Sequence, residues 1–292
     1  MPELPLVTIC IPSYNHSAFV LEAINSVRHQ SYPQIELIII DDGSTDSSAA
    51  LIETMRSELN AEFVRFEFRS RENLGLAKTL NEALNWSRGK YFSMLSSDDI
   101  LCPNKTTILV EHIEKYSELG GVFAGYDQID SEGRVTRRLI PKPGIWNFSD
   151  VLAKRCQLYA PTMLLRTEAM RRVGGYWEEI ALEDRGMVLK LSNAGYLLAT
   201  IAEPVAYYRW HATNTIKNTE RMTEARLQIL SQFEQTEDIS AARAKVLFGA
   251  ALELAKKDKE RAKYYFNKAR ISHAKSILTR SAFRAARKIW LS

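Results

Sequence analysis

The chain has 292 residues, 46% of them hydrophobic and 25% charged, with a formal net charge of +4 at pH 7. That composition excludes global disorder and suits one large α/β domain with a small appendage, or two medium domains. The charge is modest and collects near the C-terminus without a recognition motif, which argues against nucleic-acid binding.

A β-branched apolar run at residues 6–11, stopped by Pro12, predicts a buried first strand with its loop at 13–16. Phe19, Val20, Ala23, Ile24 and Val27 share one helical face within residues 19–30. A second buried strand at 36–41 runs into Asp41, Asp42 and Gly43, and a helix over about 46–59 follows, capped by Ser44, Thr45 and Asp46. Strand, helix, strand, helix with right-handed crossovers implies a parallel sheet whose acid-tipped strands open at one edge.

Residues 63–68 suit another strand, and the next helix runs to about Trp86, ended by Arg88, Gly89 and Lys90. Residues 91–95 are a short apolar run that ends in Ser96, Ser97, Asp98 and Asp99. Such a strand delivers paired acids to the carboxyl edge, where open α/β sheets bind ligands. Adjacent carboxylates need solvation, protonation or a cation, and their hard oxygens suit Mg²⁺ or Mn²⁺. The same residues equally suit a solvated turn that caps the next helix.

Pro103 starts a helix bearing Ile108, Leu109, Ile113 and Tyr116, and residues 120–129 predict a further strand. Gly133, Pro141, Pro143 and Gly144 mark 130–150 as a long turn-rich connection. A strand at 161–165, a short helix ended by Gly174 and Gly175, and a helix from Glu183 and Asp184 to Gly195 come next. Short strands at 196–201 and 205–208 precede Arg209, Trp210 and His211.

From about Thr219 helix formers take over, and residues 250–266 suit one helical hairpin. Residues 276–291 read as a basic amphipathic helix, with Ile277, Leu278, Phe283, Ile289 and Trp290 beside Arg280, Arg284, Arg287 and Lys288. It suits an anionic membrane surface, a contact with a second copy in a homodimer, or a basic face packed on its own domain. Cys10, Cys102 and Cys156 have neither metal-ligand spacing nor the density of a disulfide framework. No apolar run reaches the length of a membrane span and no signal peptide opens the chain, so a cytoplasmic address, peripheral at the inner face of the membrane, is expected.

Ile11-Pro12-Ser13-Tyr14-Asn15, Asp41-Asp42-Gly43-Ser44-Thr45-Asp46, Ser97-Asp98-Asp99 and Glu183-Asp184 resemble, in that order, the motifs of family 2 glycosyltransferases. The resemblance spans roughly residues 4–212. It implies a GT-A fold: α/β, Rossmann-like, with a mixed, mostly parallel central sheet flanked by helices. The catalytic domain would occupy 1–215, with a nucleotide-sugar half at 1–100 and an acceptor half at 101–215, and a helical C-terminal region would fill 216–292.

The implied enzyme is an inverting, metal-dependent transferase of the hexosyltransferase type. It would move a sugar from a nucleotide donor to a glycan or lipid-linked acceptor, as in surface polysaccharide or O-antigen synthesis. By resemblance, Pro12, Tyr14 and Asn15 lie beside the base, and Asp42 accepts a hydrogen bond from it, most often from uracil, with dTDP- and GDP-sugars as alternatives. Asp98 contacts the ribose or supports the metal, and Asp99 ligates Mn²⁺ or Mg²⁺ with His211 nearby. Asp184 matches the general base, and Glu183 binds the acceptor or serves only the helix dipole.

Lys78 and Arg71 are candidates for the base or phosphates. Trp177, Thr162 and Met163 are candidates for the acceptor cleft. The family's preceding Asp is Ser96 here, which alters the metal's surroundings. That departure keeps open a non-catalytic nucleotide-sugar or glycan-binding module on the same fold. A nicotinamide dehydrogenase is excluded because no Gly-x-Gly-x-x-Gly follows the first strand.

Overall fold

Alternate side chains Val7, Ile9 and Ile11 of strand β1 (Val7–Ser13) join Val20, Ala23, Ile24 and Val27 of helix α1 (Val20–Arg28) in one core. The strand's period of two thus meets the helix's apolar stripe. In the computed structural model the described residues are 3–210, 218–273 and 279–290. The chain divides into two compact units: Met1–Glu179 with Met187–Ala212, and Ile180–Gly186 with Thr213–Ser292.

After α1 come β2 (Ile35–Asp42), α2 (Ser48–Thr54), α3 (Arg56–Glu62), β3 (Arg65–Arg71), α4 (Leu76–Trp86) and β4 (Tyr91–Met94). Then follow β5 (Ile100–Leu101), α5 (Lys105–Ile113), β6 (Leu119–Ile129), β7 (Val135–Leu139), β8 (Gly144–Trp146) and α6 (Phe148–Leu152). The first unit ends through β9 (Leu164–Arg166), α7 (Thr167–Arg172), the larger part of α8 (Glu183–Asn193) and β10 (Leu197–Arg209). The sheet runs β3-β2-β1-β4-β9-β6-β10-β5, with β7 on β6 and β8 on β10. Its longest ladders, β1 with β2, β2 with β3 and β6 with β10, are parallel, while β9, β5, β7 and β8 pair antiparallel. β1, β2 and β4 therefore end at one edge, as the alternation of strand and helix requires.

Several expected elements differ. The helix over about 46–59 breaks at Met55 (φ −90°, ψ −8°), in the sparsely allowed bridge region, into α2 and α3. Its cap is narrower than expected: Asp46 accepts the Ser48 N–H at 2.9 Å, while the N-cap Ser47 makes no side-chain capping bond. α5 begins at Lys105 rather than Pro103. The connection at 130–150 is not structureless, because it holds β7, β8 and the start of α6, whose N-cap Asn147 forms a capping box with Asp150. The strand at 161–165 is instead a 3₁₀ turn, Ala160–Thr162, followed by β9. The two strands expected at 196–208 are one, β10, with its register shifted near Pro204.

Glu36 forms a buried hub beneath the sheet. Its carboxylate is fully shielded and accepts the Thr8 hydroxyl at 2.6 Å, the N–H groups of Arg88 and Gly89 at 2.6 and 2.9 Å, and Arg65 Nη1 at 3.3 Å. A buried carboxylate persists only when its oxygens are satisfied in this way.

In the second unit, α9 (Thr219–Ser231), α10 (Ile239–Leu254), α11 (Lys259–Ser272) and α12 (Arg280–Trp290) pack around Phe248, Tyr265, Phe266 and a set of alanines. Asn218 and Asp258 cap α9 and α11 by accepting the N–H of Arg221 and Arg261 at 3.0 and 2.9 Å. The expected hairpin is α10 with α11, though α9 and α12 extend it. On α12, Ala282, Ala285 and Ile289 are buried in this core, whereas Phe283 is 70% and Trp290 51% exposed. Residues 276–278 and 291 of the expected amphipathic helix lie outside the described residues. Among the described residues no helix is long and apolar enough to cross a membrane.

Candidate active site

The loops after β1 and β2 are tied to each other by side chains. Asn15, at φ +53°, accepts the Thr45 N–H at 2.8 Å, and its own N–H donates to Ser44 Oγ at 2.9 Å. Asp41 turns back to accept the Ser44 N–H at 3.0 Å. Asn15, expected beside a base, thus first pins two loops, while Pro12 is partly buried on β1 and the Tyr14 ring is 48% exposed.

Asp42 accepts the N–H groups of Leu74 and Gly75, both at 2.9 Å, and a bond from the Arg71 guanidinium. A carboxylate offers about four acceptor positions, and these donors fill three. Arg71 also reaches Thr79 Oγ1 and Glu82 Oε2, both at 2.9 Å, so its guanidinium is engaged in holding Asp42. Lys78 is exposed on α4 and lines an open groove of about 550 Å³ with Arg69, Asn81, Asn85 and Glu178.

After β4 the chain turns tightly, with the Asp99 N–H donating to the Ser96 carbonyl at 3.0 Å. Asp98 and Asp99 are both buried, 7% and 1% exposed. Asp99 Oδ1 accepts the Arg209 backbone N–H at 2.9 Å, and Oδ2 is buried with no hydrogen-bond partner among the described residues. Ser13 Oγ, at the end of β1, is in the same condition. Burial, and then the Asp98 charge, hold the Asp99 carboxyl well above the usual carboxylate range, against the pull of Arg209 and Lys105. A buried acid with one unpaired oxygen beside a second acid is a donor set that fits a hard divalent cation. Among the described residues no three His, Cys, Asp or Glu side chains gather to hold a metal. His211 lies outside them.

Thr162, expected at an acceptor cleft, is fully buried instead. Its hydroxyl accepts the Ala124 N–H at 2.9 Å and donates to the Tyr159 carbonyl at 2.8 Å, which makes it a tie between β6 and the 3₁₀ turn. Met163 is buried too. Trp177 is partly exposed, with the Lys190 ammonium 4.9 Å from its ring centroid.

Glu183 and Asp184 belong to the second unit and open α8 there. Burial pushes both carboxyls up, opposed for Asp184 by the Arg185 N–H and the Arg185 and Arg226 charges. Leu182, just before them, stands at φ +71°. A bulky side chain in the left-handed region is strained, and such strain clusters where function requires a fixed geometry.

Three further residues stand near the Asp98–Asp99 turn, and sequence reasoning assigned none of them to the site. His16 Nδ1 lies 2.8 Å from Ser97 Oγ and 3.8 Å from Asp98 Oδ1. Arg209, 2% exposed, donates through Nε to the Asp98 carbonyl at 2.9 Å. Lys105, 1% exposed, donates to Ser93 Oγ at 2.7 Å, and burial pulls its ammonium down to about 7. The position of His16 directly after the Tyr14-Asn15 motif is the one hint the sequence held.

Comparison with known proteins bears on this arrangement. A family model described as Glycosyl transferase family 2 matches residues 8–178. A chondroitin synthase of Escherichia coli is 30% identical over 196 residues, covering 67% of this chain and 28% of that protein. A chondroitin synthase of Pasteurella multocida is 28% identical over 234 residues, covering 79% and 23%. The chain thus spans less than a third of the length of these relatives.

Among solved structures, S. aureus TarS 1-349 in complex with UDP-GlcNAc superposes with a TM-score of 0.68 at 16% identity, over 97% of this chain and 91% of that one. Mannosyltransferase PcManGT from Pyrobaculum calidifontis, in complex with GDP-Man and Mn²⁺, gives 0.63 at 16% identity, over 100% and 89%. These two speak to the fold, which is GT-A. The family match runs from β1 through both acid-tipped strands to the segment after α7, and on that ground the chain belongs to glycosyl transferase family 2.

Proposed function

We propose that the chain transfers a sugar from a nucleoside diphosphate donor to an acceptor hydroxyl, with inversion at the anomeric carbon. The observation that carries this reading is the unpaired, buried Asp99 Oδ2 beside Asp98 at the carboxyl edge of β4. Asp99 and His211 would hold Mn²⁺ or Mg²⁺, with the remaining oxygen ligands drawn from the donor's diphosphate and water. The cation would supply positive charge opposite the departing diphosphate.

Asp42 keeps one acceptor position, suited to the single ring N–H of uracil, thymine or guanine. UDP is favoured because the TarS structure is a complex with UDP-GlcNAc, and the PcManGT complex with GDP-Man keeps GDP open. Pro12 and Tyr14 flank the base, Asn15 fixes their loop, Lys78 serves the phosphates, and Asp98 supports the ribose or the metal. Asp184 removes the acceptor's proton as its oxygen bonds to the anomeric carbon and the bond to the diphosphate oxygen breaks. A carboxyl raised by burial is a better base at neutral pH, and general base catalysis is worth about 10² to 10⁴ in rate.

Glu183 and Trp177 remain the acceptor-side candidates, and relatives that are chondroitin synthases favour a glycan acceptor, free or lipid-linked. The acid-free basic C-terminal stretch supports a peripheral position at the inner face of a membrane.

The test is a thermal-shift series with UDP, GDP and dTDP, with and without Mn²⁺, on wild type and Asp99→Ala. Ligand at about 100 times its dissociation constant stabilises by about 2.7 kcal/mol. Stabilisation that needs both Mn²⁺ and Asp99 supports the reading, and no response to any nucleotide overturns it. Stabilisation by a nucleotide that no metal improves would favour the binding-module alternative, which Ser96 in place of an acid keeps in view.

A further inference from the structure

Arg209 ends β10, and its guanidinium is shut away from solvent at 2% exposure. Burying an isolated charge is expensive unless its donors are met. Here Nε donates to the Asp98 carbonyl at 2.9 Å, Nη1 to the Asp130 and Ser131 carbonyls at 3.2 and 3.3 Å, and Nη2 to Glu22 at 2.5 Å. The Phe19 ring lies 4.6 Å from the guanidinium carbon. A single side chain therefore ties together the Asp98–Asp99 turn, the turn between β6 and β7, and the first turn of α1. The backbone N–H of the same residue donates to Asp99 Oδ1 at 2.9 Å.

We propose that Arg209 is a positioning residue that fixes the Asp98–Asp99 peptide and so determines which oxygen Asp99 offers to a divalent cation. With Oδ1 taken by the Arg209 N–H and the preceding carbonyl held by Nε, the Asp99 side chain cannot rotate without breaking a buried bond, and Oδ2 is the oxygen left over. An apolar side chain would end β10 as well, but removing one partner of a buried ion pair is destabilising, because the groups it served are left unmet. What an apolar side chain cannot do is satisfy carbonyls on two separate turns, and a lysine lacks the planar fork that reaches them together. The inference rests on the cation-binding reading proposed above.

The test uses the full chain as Arg209→Met, Arg209→Lys and Glu22→Gln. Free Mn²⁺ is counted by electron paramagnetic resonance in the presence of UDP or GDP, well below the melting midpoint of each variant, with circular dichroism to score folding. Residues that orient a metal's ligands typically cost about 10- to 100-fold in metal affinity when changed, and that loss is expected for both Arg209 variants. Nucleotide affinity measured without metal should stay near that of wild type, which separates an effect on the turn from a general loosening. Glu22 is half exposed, so Glu22→Gln keeps the fold and carries the test if the Arg209 variants unfold; a smaller loss of Mn²⁺ affinity is expected from it. Folded variants that hold Mn²⁺ as wild type does would overturn the role of Arg209 alone. A wild type that holds no Mn²⁺ with either nucleotide would overturn the cation reading and this inference with it.

Discussion

The N–H of Gly75 donates to Asp42 Oδ2 at 2.9 Å from a backbone at φ +91°, ψ +156°, a conformation that only glycine adopts freely. No atom lies within 4 Å of where a Cβ would stand. Gly75→Ala therefore tests backbone strain without a clash, and a loss of about 1–3 kcal/mol is expected. Because the strain is relieved by withdrawing the donor from Asp42, nucleotide affinity should fall as well. Denaturant unfolding and calorimetric titration read the two effects, and an alanine variant equal to wild type in both would remove Asp42 from the base site as described.

Asp99→Asn should melt higher than wild type in the absence of metal. The carboxyl is raised because its charge is buried, so at neutral pH folding carries an electrostatic penalty that the amide lacks. The same variant should lose any stabilisation by Mn²⁺ with nucleotide. A variant that melts lower than wild type without metal would show that the carboxylate is already compensated.

Lys105 predicts a pH dependence. Its ammonium sits at about 7 when folded against 10.5 when free. Between those values the unfolded chain holds a proton that the folded chain has shed, so this residue makes stability rise with pH across that window. Lys105→Met removes the contribution. Without metal, the variant's advantage over wild type should be largest at about pH 6 and shrink towards about pH 10. Urea midpoints for both proteins across that range measure the difference, and a gap that does not change with pH would place the titration elsewhere.

Helix α12 predicts a division of labour between its faces. From Arg261 to Ser292 the sequence has nine Lys and Arg and no Asp or Glu. Phe283, Arg284 and Arg287 are exposed while Ile289 is buried. Each exposed cation near an anionic bilayer is worth about 1 kcal/mol, so Arg284→Gln with Arg287→Gln should release the protein from vesicles containing phosphatidylglycerol, and from neutral vesicles hardly at all. Ile289→Ala should leave vesicle binding in place and lower the unit's stability by about 2–4 kcal/mol. Equal sedimentation of the arginine variant and wild type with anionic vesicles would count against the membrane contact.

Much of the sheet was readable because its signal is local. β1 and β2 are built on apolar runs, residues 9–11 and 37–40, and α1 and α4 carry their apolar stripes in sequence. β7 carried no such signal: Val135, Thr136, Arg137 and Arg138 are all exposed, and the strand exists because β6 offers an edge to pair with. β8 is three residues, ordered by its pairing with β10. The break at Met55 has neither glycine nor proline to announce it.

At the candidate site, the placing of Asp42, Asp98 and Asp99 at strand ends could be read, since acids closing an apolar run mark an edge. What Arg209 and Lys105 do there could not. A sequence shows a charge but not its burial, and Arg209 owes its surroundings to segments far away in the chain, as with the 110 residues that separate it from Asp99. Thr162 misled for the reverse reason: a hydroxyl on a strand looks available until its bonds to Ala124 and Tyr159 are seen.

The Glu36 hub sets a datum for the acids at the far end of β4. That strand has only four residues, and its start is gripped where Glu36 takes the N–H groups of Arg88 and Gly89. A side chain on Gly89 would stand 2.5 Å from the Thr8 nitrogen, so no other residue can slide into that place. A slip of one residue would move the strand by about 3.3 Å and turn every side chain to the opposite face. The height at which Asp98 and Asp99 stand above the sheet is therefore gauged from its opposite margin, by a carboxylate that never meets solvent.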